Sequence, residues 1–175
     1  LLNTWAATYE RIRRVNEFLV GLEKYSTLSD EENKIFEGQA RFFRAFLYFQ
    51  LAKRHGGVIL YTNMDLQKDK NRSSAEETWN LIAEDLDYAA SVLPAAWGNG
   101  DRGRVTKGAA LAFKSRAMLY AGRWEAAKAA ADEVIALGVY QLMPQYKDAW
   151  KGGNAESILE YNYLITGPNH TFDKD

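Results

Sequence analysis

Residues 40–57 read ARFFRAFLYFQLAKRHGG, and the placing of four phenylalanines, a tyrosine and the arginines at 41 and 44 within that run decides the fold. On a helix advancing about 100° per residue, Glu37, Arg41, Arg44, Tyr48 and His55 fall in one narrow stripe. Phe42, Phe43, Phe46, Leu47, Phe49 and Leu51 spread over most of the remaining circumference. A helix apolar on several sides is central, covered by neighbours, with its polar seam meeting water or another polar group. Glu37 and Arg41, four residues apart, brace the seam, and Gly56 is placed to stop the helix in a left-handed conformation. The aromatic run is therefore read as core and not as a ligand groove, and an aspartate at Phe46 is expected to unfold the chain.

Working outward, Trp5, Tyr9, Ile12, Val15, Asn16, Leu19 and Leu22 recur at helical spacing and predict a helix over 4–24. Ser29 and Glu32 form a capping-box pair that opens the Phe-rich helix, 30–55, and Ser74 with Glu77 repeats it for a helix over 75–93, stopped by Pro94. Between them lie the β-branched VILYT, 58–62, and a polar loop. Thr106 caps a helix over 107–121. Gly122 and Arg123 make a tight turn, and a last helix over 124–137 ends at Gly138. So short a turn makes these two helices antiparallel neighbours, and their many alanines let the backbones approach closely. Gly122, Trp124 and Ala127 have the spacing of a tetratricopeptide hairpin. ESILEYNYLI alternates like a strand over 158–165, with Val58 to Thr62 as its available partner. The expected fold is mainly all-α, tetratricopeptide-like hairpins in an α-α superhelix, with at most a small β element.

Twenty-two basic and 23 acidic residues are interspersed, for a net charge of -1 over 175 residues, which argues against a general nucleic-acid binder. Arg41 and Arg44 interrupt the most apolar segment, so no run is long enough to cross a bilayer. With no cysteine there is no disulfide, thiolate metal site or cysteine nucleophile. The opening LLNTWAATYE begins inside a predicted helix without an initiator methionine, and the chain is read as a fragment or processed product.

His55 and His170 lie far apart and outside metal-ligand spacing. Among Glu84, Asp85 and Asp87, the first and last fall on the helix face away from Trp79 and Leu86, as solvated charges do. GNGDRGR, 98–104, lacks the strand and the Gly-Lys-Ser/Thr ending of a phosphate loop, so Asp101, Arg102 and Arg104 are read as loop anchors. No serine has a nucleophile-elbow context. Hence no catalytic residue, metal site or cofactor is assigned, and an enzyme is not expected. Trp97 and Trp150 stand in glycine-containing loops without a helical face to bury them, and each is either a ligand-stacking platform or an anchor of its loop to the core. Trp5, Trp79 and Trp124 have helical partners and are expected in the core.

Taken together, ARFFRAFLYFQLAKRHGGV, IAEDLDYAASVLP and GRVTKGAALAFKSRAMLYAGRWEAAKAAADEVI, followed by GVYQL and ESILE, resemble in order and spacing the N-terminal, tetratricopeptide-containing portion of SusD-like (SusD/RagB) proteins. These are nutrient-binding outer-membrane lipoproteins of Bacteroidetes. Ile59 departs from the proline usual in that family after Gly-Gly-Val. The resemblance implies a surface-exposed lipoprotein that captures oligosaccharides or other nutrients for a SusC-like TonB-dependent transporter. Membrane attachment would run only through a lipid anchor absent from this chain. The family's ligand residues vary, so no site is carried over. The alternative is a tetratricopeptide adaptor holding a partner peptide in a helical groove.

Overall fold

The computed structural model describes residues 5–64, 69–98, 101 and 103–160. It contains α1 (Trp5–Tyr25), α2 (Asp30–His55), α3 (Ala75–Val92), α4 (Lys107–Tyr120), α5 (Trp124–Ala136) and the single turn α6 (Tyr146–Ala149). The first five helices pack in sequence order, α1 on α2, α2 on α3, α3 on α4 and α4 on α5, which is the arrangement of stacked helical hairpins.

The helix starts follow from their caps. The Ser29 and Ser74 side chains accept from the backbone N–H of Glu32 and Glu77, and each glutamate reaches back to the serine N–H. These contacts hold both glutamate carboxyls below their usual range, the Ser29 hydroxyl leading at Glu32 and the Ser74 backbone N–H at Glu77. Thr106 accepts from Ala109 N–H at 3.1 Å. Gly122 and Gly138 end α4 and α5 with φ of 72° and 65°, which side-chain-bearing residues rarely adopt. Gly57 passes so close to the Ser73 carbonyl that a Cβ there would overlap it.

The core runs through Ile12, Tyr48, Leu51, Ile82, Leu86, Leu111 and Met118, all fully buried. Ala109, Ala110 and Ala117 of α4 and Ala127 and Ala130 of α5 are buried, and the two helices pack on each other. The Phe-rich helix is central as expected, but only in part of its circumference. Phe42 and Phe49 are buried, whereas Phe43 is 50% and Phe46 39% exposed, correcting the expectation that Phe46 is covered. Phe46 lies against Phe113 of α4 at 5.5 Å, and that contact leaves more than a third of it open. Trp124, expected in the core, is 63% exposed at the first turn of α5, a helix that packs only on α4 among the described helices. Trp5 and Trp79 are partly buried against the core.

No strand forms among the described residues. Segment 58–62 is extended, yet helix side chains satisfy its carbonyls. Tyr9 donates to Ile59 O at 2.8 Å, Tyr48 to Tyr61 O at 3.0 Å and Arg44 to Thr62 O at 3.1 Å. Residues 158–160 of the expected strand are irregular, and 161–165 lie outside the described residues.

Candidate functional site: an aromatic cleft, a polar cleft and an exposed ring pair

Loop 93–106 is pinned at its ends by Lys107 N–H donating to Pro94 O at 2.9 Å. Within it the Trp97 indole N–H donates to Val105 O at 2.8 Å, and the Arg104 guanidinium covers the ring 4.0 Å from its centroid. Trp97 is thus half-buried, with its donor edge engaged and one face stacked. Arg104 also lies over Phe36 at 5.6 Å, donates to Gln39 Oε1 at 3.2 Å and pairs with Asp101 at 3.1 Å. Two rings and two acceptors fix this cation. Asp101 and Arg104 therefore anchor the loop, while Arg102 lies outside the described residues.

Arg104 forms one wall of a cleft of about 460 Å³ between α1 and α2, lined by Arg14, Val15, Phe18, Phe36, Gln39, Ala40, Phe43 and Asp101. Phe18, Phe36 and Phe43 remain 46%, 36% and 50% exposed. Apolar rings beside a few planar polar groups, in a volume within the 300–1,000 Å³ of small-molecule sites, suit a ligand with apolar faces and polar edges.

Trp150 belongs to a separate cluster. It follows α6, is 76% exposed, and meets the equally open Tyr146 edge to face at 5.8 Å. Asn154 secures this turn by donating to Asp148 O at 3.2 Å and Ala149 O at 3.0 Å. The platform is open, but its backbone is fastened.

A third arrangement was legible only in part, since the sequence shows the Glu37–Arg41 seam of α2 but not the partner that Arg44 meets. Arg44 and Asp85, both buried, are joined by Nε–Oδ2 and Nη2–Oδ1 contacts of 2.8 Å each, and Arg44 Nη1 also donates to Asn16 Oδ1 at 3.1 Å. Burial alone would lower the Arg44 pKa, but the hydrogen bonds and charge of Asp85 overcome it and hold the guanidinium above its ordinary value. Burial, which disfavours the phenolate, pushes the Tyr48 hydroxyl well up. Beside the pair, Glu37 binds Arg41 at 2.7 Å and accepts from Tyr88 at 2.6 Å, and Arg41 stacks over the Tyr88 ring at 4.1 Å. Glu37, Arg41, Arg44 and Asp85 line a polar cleft of about 610 Å³. The available signal was Asp85 itself, set between Ile82, Leu86 and Ala89 on the apolar face of α3, where a carboxylate demands a partner.

His55 meets the Trp5 ring edge-on at 5.0 Å, and His170 lies outside the described residues. Asp87 pairs with Lys114 at 2.5 Å on the surface. No described group of three or more His, Cys, Asp or Glu is disposed to hold a metal ion, and no described helix is long and apolar enough to cross a membrane.

Stacked helical hairpins with ring-lined surfaces define the class, and the chain belongs to the SusD-like family, whose model, described as starch-binding associating with outer membrane, matches residues 1–119. A SusD-like protein of Formosa agariphila is 30% identical over 151 residues, covering 84% of this chain and 28% of that relative. The crystal structure of a SusD-like protein of Bacteroides fragilis superposes with a TM-score of 0.85 at 36% identity, covering 92% of this chain and 33% of the other. The surface glycan-binding protein A of Bacteroides uniformis is 26% identical with a TM-score of 0.81, covering 93% and 38%. The chain spans about a third of the length of these relatives.

Proposed function

We propose that the protein is a non-enzymatic, surface-exposed outer-membrane lipoprotein that captures oligosaccharides for a SusC-like TonB-dependent transporter. Family membership and the surface glycan-binding relative support the reading. The observation that carries it is the set of accessible rings beside planar polar groups. Sugar rings present C–H faces that stack on aromatics and hydroxyl edges that seek amides, carboxylates and guanidinia. Trp150 with Tyr146 offers the open platform. Trp97 acts by holding Arg104 at the wall of the aromatic cleft.

Affinity electrophoresis of the chain through gels containing starch, laminarin or a β-mannan tests this, with product analysis of the same mixtures. Retardation in at least one gel with the polysaccharide intact is expected. Mobility unchanged in every gel, or released oligosaccharides, would overturn it.

A further inference from the structure

We propose that the polar cleft between α1, α2 and α3 is a saccharide-binding site that favours sugars bearing an amino group and turns away uronic acids; this deepens the glycan-capture reading and rests on it. Among the residues lining the cleft the charges alternate, Glu37 beside Arg41 at 2.7 Å, Arg41 beside Asp85 at 3.8 Å and Asp85 beside Arg44 at 2.8 Å. Glu37 engages Nε and Nη2 of Arg41, but Nη1 of Arg41 stands 3.8 Å from Asp85, too far for a hydrogen bond. That nitrogen, on a side chain 31% exposed, retains donors, and Glu37, 30% exposed beside it, retains lone pairs, whereas Asp85 is 1% exposed and serves as the buried partner of Arg44. A guanidinium beside a carboxylate presents donors next to acceptors, and adjacent hydroxyls on a sugar ring satisfy both at once. Leu19, Leu22 and Leu81 supply apolar wall for the C–H faces.

Charge sets the preference. Asp85 is balanced by Arg44 and Glu37 by Arg41, whereas Glu23 and Glu84, exposed at the rim, have no ionic partner among the described residues. Two uncompensated carboxylates at the mouth of a cleft attract a cation and repel an anion. The ammonium of a glucosamine unit fits that field, and the carboxylate of a galacturonate unit opposes it.

Isothermal titration calorimetry of the whole chain with three tetrasaccharides tests the proposal: glucosamine, N-acetylglucosamine and galacturonate. The glucosamine tetramer should bind about fivefold more tightly than its acetylated counterpart, with the difference shrinking as salt is raised, and the galacturonate tetramer should not bind. Glu84→Gln should reduce the glucosamine advantage and leave the acetylated tetramer unaffected. Arg41→Ala should weaken both, with its melting temperature recorded so that loss of fold is told apart from loss of contact. Equal affinities with Glu84→Gln silent, or galacturonate binding best, would overturn the proposal. If polysaccharide gels retard the chain through Trp150 while none of these charge effects appears, the cleft is not the site and glycan capture stands. If no saccharide binds in either assay, both readings fall.

Discussion

Arg44 of α2 and Asp85 of α3, 41 residues apart, face each other through two parallel 2.8 Å contacts and are both buried. The pair ties the two central helices, and Asn16 with the Thr62 carbonyl extends it to α1 and the segment after α2. Desolvating two ions is costly, so the pair is not itself evidence of high stability, but breaking it leaves a buried charge alone. Asp85→Ala should therefore cost about 3–5 kcal/mol, whereas the double variant Arg44→Met with Asp85→Leu should recover most of that loss. Urea denaturation of the parent, Asp85→Ala, Arg44→Met and the double variant reads the difference. Additive losses in the double variant would show that the two side chains act independently.

Phe42 and Phe46, one turn apart, separate core from surface on the same helix. Phe42 is 3% exposed and touches both Phe43 and Phe113, so Phe42→Ala should cost about 3–5 kcal/mol. Phe46→Asp, at 39% exposure, can turn its carboxylate to water and should leave a cooperative melt. An unfolded Phe46→Asp protein would restore the expectation that this ring is covered.

High pH should unfold the chain through its tyrosines. Burial pushes the Tyr9 hydroxyl up to about 12, and burial with the Glu37 hydrogen bond does the same for Tyr88. A raised folded pKa means that the unfolded chain, ionising near 10, loses protons first. The stabilisation is fully present below about pH 10 and is lost as pH rises towards 12. Absorbance at 295 nm should show a late tyrosinate step coinciding with loss of helical ellipticity, and Tyr9→Phe should remove part of it. A late step with ellipticity intact would contradict the linkage.

Helix limits were legible because their causes are local. Ser29, Ser74 and Thr106 carry their caps within three residues, and Gly122 and Gly138 end helices through their own φ. Exposure of Phe46 and Trp124 was not legible, since it depends on which face of a helix receives a neighbour. Segment 58–62 had strand composition but found its hydrogen-bond partners in Tyr9, Arg44 and Tyr48, and no local pattern announces that substitution. The candidate site divides in the same way. Two loop tryptophans stood out by composition, but Trp97 is held by Val105 O and Arg104, and Arg104 in turn by Phe36 and Gln39 of α2, whose approach the loop sequence alone does not specify.

The two loop tryptophans should answer alanine substitution differently, because they differ in what they hold. Trp97→Ala removes a hydrogen bond to Val105 O, the cation–π contact with Arg104 and a half-buried ring. Together these should cost about 2 kcal/mol, lowering the melting temperature by about 4–8 °C for a domain of this size. Arg104 would then lose one of the rings between which it sits, so retention through the aromatic cleft should fall with stability. Trp150→Ala exposes little and touches only Tyr146 among the described rings, so its melting temperature should stay within about 1–2 °C of the parent. Stacking on one open platform with few hydrogen bonds gives a Kd of about 0.1–1 mM, and gel retardation dependent on that platform should vanish in Trp150→Ala. Differential scanning calorimetry beside affinity electrophoresis separates the effects. Retardation lost in Trp97→Ala with an unchanged melt would make Trp97 a direct contact, and retardation unchanged in Trp150→Ala would remove that ring from the binding surface.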